Sequence, residues 1–387
     1  MLEQLPKSRE VNVSALSRLL SDTTNSYKYV FLLSILDLIK RESFSNPAHI
    51  QFRGLVTEML ANVWYPHTYF RLSFGTQDKI VQRLESLQLD FHSSSLKTTD
   101  SDKKALREEI YSKDLDGTVR SLLRYVPFRL IVPFLENELK QVPNRTKGNN
   151  LDRAIPGIAA TVFDEVKPLY RFNSDKYSEC SSLIIHPDWI TYLEKHYSIV
   201  RGWISWNWLS YMQKRNPSTP GLIYKLFAPT KRESLAKQTN YWKIILESTD
   251  FHCIYSGQKI DVGRFSLDHY LPWSFVAHDQ LWNLIPTLPE INSSKSNNLP
   301  SPQFFDKFVE AQHRGLVVCK QKMSGKEWVK KTEVYIEDLS IKGQSDLLDL
   351  EKLKAAYLCV IPSLTSLAEN QGFRIWEPPV AVAQDIA

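Results

Sequence analysis

Cysteine is scarce in this chain: four in 387 residues, at Cys180, Cys253, Cys319 and Cys359. Each stands alone. A four-ligand structural zinc needs paired cysteines or histidines at short spacing, so no structural zinc is expected. The start of the chain, Met1–Arg9, lacks a signal-peptide pattern, and scattered thiols without one fit a reducing cytoplasm. Long hydrophobic runs are also missing. The densest, Tyr29 to Ile39, contains Ser34 and Asp37 and is too short to cross a bilayer, so it reads as a buried helix and no membrane association is expected. Nor does one sign of charge dominate. With 48 basic and 43 acidic residues the net charge is +5, which permits nucleic-acid binding without establishing it. No segment repeats at a fixed period.

What is present is an ordinary globular composition, 43% hydrophobic and 24% charged, long enough for two or three domains. Phe52, Leu55, Val56, Met59, Leu60, Val63 and Trp64 follow the i, i+3, i+4, i+7 rule and predict an amphipathic helix over 50–65. Ile80, Val81, Leu84 and Leu87 continue that period. His92 to Lys104 and Pro143 to Asn150 read as polar loops, with helix from Leu106 to Leu123 between them. Pro187 suits the first turn of a helix, and the stripe Trp189, Leu193, Tyr197, Val200, Ile204, Trp208 and Tyr211 predicts one long helix up to Arg215. Trp203, Trp206 and Trp208 can stack on unpaired bases, although aromatics on a helix stripe more often belong to a core. Toward the C-terminus, Pro302–Arg314 reads as helix. Glu327–Ile336 fits strand or helix equally, and Leu347–Val360 reads as a last helix ended by Pro362.

The chemistry concentrates between Cys253 and Pro300. Phe265-Ser266-Leu267-Asp268-His269-Tyr270-Leu271-Pro272 is followed by Asn283 and Asn292 at intervals of 14 and 9 residues (283 − 269 and 292 − 283). An imidazole can take a proton from attacking water near pH 7. A carboxylate and an amide oxygen are hard ligands suited to Mg²⁺ or Mn²⁺, and Mg²⁺ usually keeps several waters and few protein ligands. If a strand ends here, Asp268 and His269 point to opposite faces of it. Phosphodiester hydrolysis is a reaction these groups can support.

These residues resemble the HNH endonuclease family, the ββα-metal nucleases, and most closely the HNH domain of the RNA-guided CRISPR nucleases. A weaker likeness, through Pro272 to Asp279 and Asn216 to Trp242, is to larger bacterial HNH proteins of unassigned role. The resemblance implies a strand over Arg264–Asp268, a second over Leu284–Thr287, and a helix starting near Asn292. It further implies His269 as general base, Asp268 and Asn292 as metal ligands, and Asn283 as the brace of the loop holding His269. The third letter is Asn, an HNN variant, which favours Mg²⁺ (or Mn²⁺) over a softer metal. The paired Cys-x-x-Cys knuckle of many HNH domains is absent; Ser256 stands where the cysteine after Cys253 would be. His278 reads as a loop cap.

The resulting expectation is a mainly α protein with an embedded ββα-metal nuclease, α+β overall. A helical recognition or partner-binding domain would fill 1–245, the nuclease 246–315, and a mixed, mainly helical extension 316–387. Lys295, Arg264, Lys231, Arg232 and Lys237 are candidate phosphate contacts; the segment from Lys225 to Lys243 carries five basic residues against Glu233 alone. The expected activity is metal-dependent cleavage of DNA, with a partner subunit or homodimer and a bacterial antiviral defence or restriction setting. The alternatives are an RNA- or structure-specific nuclease and a non-enzymatic nucleic-acid-binding protein on an HNH scaffold.

Overall fold

The computed structural model describes residues 5–21, 23–76, 78–89, 100–142, 150–227 and 234–378, with the side chains of 100–102 left aside. Most of the two expected polar loops, the stretches 92–99 and 143–149, lies outside them, as do Lys231 and Arg232. The chain divides into two units, Met1–Pro217 with Leu226–Lys231, and Ser218–Lys225 with Arg232–Ala387.

The first unit is built on α1 (Tyr27–Arg41) and α2 (Phe52–Trp64). The predicted stripe of α2 is buried, and so is Glu58 on the same helix, at 1% exposure. Burial works to raise the Glu58 carboxyl, but Lys103, Arg41 and Arg107 together hold it below its usual range. Lys103 and Arg107 come from α3 (Asp100–Ser112), so the ionic cluster ties that helix to α2. A small antiparallel sheet in the order β1-β3-β2 joins β1 (His49–Gln51), β2 (Tyr170–Phe172) and β3 (Ser182–Ile185). Two helices replace the one expected after Pro187: α4 (Pro187–Lys195) and α5 (Tyr197–Arg215). The break falls at His196, whose carbonyl still accepts from the N–H groups of Ile199 and Val200, so the turn forfeits little backbone bonding. Of the three tryptophans, Trp203 and Trp208 are core, and Trp206 is 57% exposed.

The second unit surrounds a two-stranded antiparallel hairpin, β4 (Ser266–His269) with β5 (Leu284–Thr287), paired Ser266 to Thr287 and His269 to Leu284. The preceding helix is α6 (Ala236–Ser248); a one-turn helix, α7 (Trp273–Val276), lies in the loop between the strands, and α8 (Pro289–Lys295) follows β5. β5 is buried along its length. Leu299–Pro300 forms β6, followed by α9 (Phe305–Lys322), α10 (Gly325–Asp338) and α11 (Leu350–Asn370). The ambiguous 327–336 stretch is therefore helix, started by a Ser324–Glu327 capping box. Pro362 does not end α11. It is exposed, as is Leu358 one turn earlier, so the carbonyl that Pro362 deprives of a partner lies on the solvated side.

The region after residue 315 packs against the hairpin within the second unit. Tyr270 stacks on Phe308 at 3.9 Å, and Phe308 meets Tyr357 edge-on at 5.5 Å. Gln312 donates to Leu284 O at 2.8 Å and accepts from Tyr335 at 2.8 Å, while Tyr357 donates to Trp282 O at 2.8 Å. The last strand, β7 (Ile375–Trp376), returns to pair in parallel with β6. Among the described residues no helix is long and apolar enough to cross a membrane.

Candidate active site

Strand alternation sends Asp268 and His269 in different directions from the end of β4. Asp268 turns inward and is 2% exposed. Its Oδ2 accepts from the Tyr255 hydroxyl at 2.6 Å, and its Oδ1 accepts from Lys295 Nζ at 3.0 Å. Lys295 Nζ also donates to His269 O at 2.7 Å, so one ammonium grips both residues of the pair. Burial pulls the Lys295 pKa below the usual lysine range, with Asp268 opposing, and burial together with Asp268 pushes Tyr255 well up.

His269 turns the other way, and its Nε2 lies 2.8 Å from Asp279 Oδ1. Its side chain is 10% exposed and that of Asp279 19%. The loop carrying Asp279 is held by Asn283, which is fully buried. Leu271 N donates to Asn283 Oδ1 at 2.8 Å, Asn283 Nδ2 donates to Leu271 O at 2.9 Å, and Tyr270 N donates to Asn283 O at 2.8 Å. One side-chain amide thus satisfies both backbone groups of a residue two positions past His269. His278 takes a cap role, its Nδ1 accepting from Gln280 N at 3.3 Å, and burial pulls its pKa to about 4.

Asn292 sits half-buried on α8, one helical turn before Lys295 and on the same face. Lys295 itself was expected at a phosphate; it is wholly buried and reaches inward to Asp268 instead. Arg264 is exposed, 3.6 Å from Glu290 Oε2, and Lys237 is exposed on α6. Tyr255 and Asp279 were missed from the sequence. Neither sits at a helical or strand interval from His269, since loops bring them back, so no periodicity marks them.

Among the described residues no three His, Cys, Asp or Glu side chains gather into a metal-binding group. The available donors are the Asp268 carboxylate and the Asn292 amide oxygen. A carboxylate offers about four lone-pair positions, and Tyr255 and Lys295 take one each. The remaining donor chemistry, hard oxygen throughout, fits a divalent cation that keeps most of its waters.

Residues 253–301 match the family model described as HNH endonuclease. This segment belongs to the HNH endonuclease family. The match covers Tyr255, both strands, α8 and every residue expected at the centre, and it points to a nuclease. HNH nucleases typically use a divalent metal. No curated protein and no solved structure matches the chain.

Proposed function

We propose that the HNH segment is a metal-dependent endonuclease that hydrolyses phosphodiester bonds in DNA, with His269 as the general base. The observation that carries this reading is the end of β4, which sends a part-buried imidazole to one side and a carboxylate to the other, just before a turn held by Asn283. His269 takes the proton of the attacking water as its oxygen bonds to phosphorus and the bond to the 3′ oxygen breaks. Asp268 and Asn292 would hold Mg²⁺ or Mn²⁺, which when bound polarises the phosphate and neutralises charge on the leaving oxygen. Asn283 keeps the turn after His269 in one shape, so the imidazole does not wander from the strand end. Arg264 and Lys237, both exposed, supply sequence-independent contacts to the DNA backbone. The first unit serves as the recognition or partner-binding module.

The test is cleavage of supercoiled plasmid in Mg²⁺ or Mn²⁺ against a chelator control, with His269→Ala beside the wild type. The variant should fold and bind DNA normally but cut about 10²–10⁴-fold more slowly. Wild-type speed from the variant would sink the assignment. Single-stranded DNA and RNA digested in parallel separate a DNA enzyme from an RNA- or structure-directed one. A second reading, a nucleic-acid-binding scaffold that does not cut, is favoured by the ion pair already engaging Asp268. Failure to cut any nucleic acid in Mn²⁺ would select it.

A further inference from the structure

We infer that Asp279 is the positioning residue of His269, fixing which ring nitrogen carries the proton. This rests on the nuclease reading above for its catalytic consequence, but not for the pairing itself. A carboxylate only accepts, so at 2.8 Å Asp279 Oδ1 requires a hydrogen on His269 Nε2. In the neutral ring the basic lone pair then resides on Nδ1. A base, and behind it a group that selects its tautomer and angle, is the general arrangement for activating a weak nucleophile.

The surroundings show why Asp279 can do this from a loop. Gln238 on α6 donates to Asp279 O at 3.1 Å, fixing the backbone beneath the carboxylate. Lys225, fully buried, donates to Phe275 O in α7. Ala277 ends α7 in the left-handed region, φ 57°, with its N–H on Trp273 O at 2.7 Å. Gly221 lies against that turn so closely that a Cβ on it would come within 2.8 Å of the Ala277 Cβ. The loop from Pro272 to Gln280 is therefore clamped at three points, and Asp279 leaves the last of them.

The experiment compares wild type, Asp279→Ala and Asp279→Asn by plasmid cleavage and by ¹⁵N NMR of the His269 ring, assigned by the signals lost in His269→Gln. In the wild type the ring should show the Nε2–H tautomer. Asp279→Ala should lose that preference, and kcat should fall by roughly 10–100-fold with KM little changed. Asp279→Asn is nearly isosteric yet can offer its NH₂ to Nε2, which favours the wrong tautomer. It should therefore be at least as slow as Asp279→Ala. A packing role predicts the opposite order, and that order overturns the inference. So does an unchanged ring spectrum in Asp279→Ala, or a changed spectrum with unchanged kcat. If the wild type cuts nothing, the nuclease reading fails by itself; the ring spectrum still supports or overturns the pairing.

Discussion

Lys295 Nζ and Asp268 Oδ1 form an ion pair 3.0 Å long in which neither side chain exceeds 2% exposure. Such a pair has given up its hydration on both sides, and Tyr255 and the His269 carbonyl complete its hydrogen bonding. Removing one member strands the other charge. Lys295→Met should lower unfolding free energy by about 3–5 kcal/mol in urea titrations. The double change Lys295→Met with Asp268→Leu should recover much of that loss. Equal destabilisation by the single and double variants would mean the pair's charge is not what stabilises this corner.

Tyr255→Phe isolates the third member. The ring stays between Phe304 and Trp376, at 5.1 and 5.4 Å, and only the hydroxyl on Asp268 goes. A buried acceptor left short of a donor predicts a loss of about 1–3 kcal/mol. Thermal or urea unfolding measures it; a neutral result would show that Asp268 finds another donor.

Asn283 joins two backbone groups through one amide. Asn283→Asp keeps the acceptor for Leu271 N but places a carboxylate oxygen against Leu271 O, and a loss of about 1–3 kcal/mol follows. Hydrogen exchange should locate it: the amide of Leu271 ought to exchange faster in the variant while the amides of α9 remain protected.

Lys225 supplies a pH dependence. Burial pulls its pKa from 10.5 to about 7, so the unfolded chain holds a proton that the folded chain sheds between those values. The stabilising contribution is therefore complete above 10.5 and lost as pH falls through 7. Across that window the wild type should gain about 1.4 kcal/mol per pH unit relative to Lys225→Met. Parallel stability curves for the two proteins from neutral to alkaline pH would refute the assignment.

Trp206 and Trp208 should separate cleanly. Trp208→Ala empties a core site and should cost about 3–5 kcal/mol. Trp206→Ala, at a position 57% exposed, should change stability by no more than about 0.5 kcal/mol. If Trp206 stacks on bases, its loss should weaken single-strand binding instead.

The parts of this molecule that were legible beforehand are those governed by short-range regularity. α2 announced itself by its period, whereas β5 was placed by family likeness. The loop-bracing part expected of Asn283 came from family likeness; in the structure its amide bonds both backbone groups of Leu271. Direction was harder. Lys295 lies a turn beyond Asn292 on an exposed-looking helix, and nothing in the local pattern says that its ammonium points in. The answer depends on Tyr255 and Asp268, thirteen residues apart, creating a site that calls for a cation. Asp279 was hidden for a similar reason: a loop with a left-handed turn at Ala277 determines where it ends up, and loops have no period to count. The break at His196 was misread because its carbonyl keeps backbone partners through the turn, and the continuation past Pro362 because the carbonyl left without a donor lies on the solvated side.

The parallel pairing of Leu299 with Ile375 and Pro300 with Trp376 makes the HNH segment hard to transplant. Trp376 also donates its indole N–H to Ser294, within the helix that carries Asn292 and Lys295. A fragment trimmed to the matched segment would forfeit that staple along with the aromatic shelf under Tyr270. Any attempt to graft the candidate centre onto another protein must take along the tail as far as Trp376, 77 positions beyond Leu299 (376 − 299).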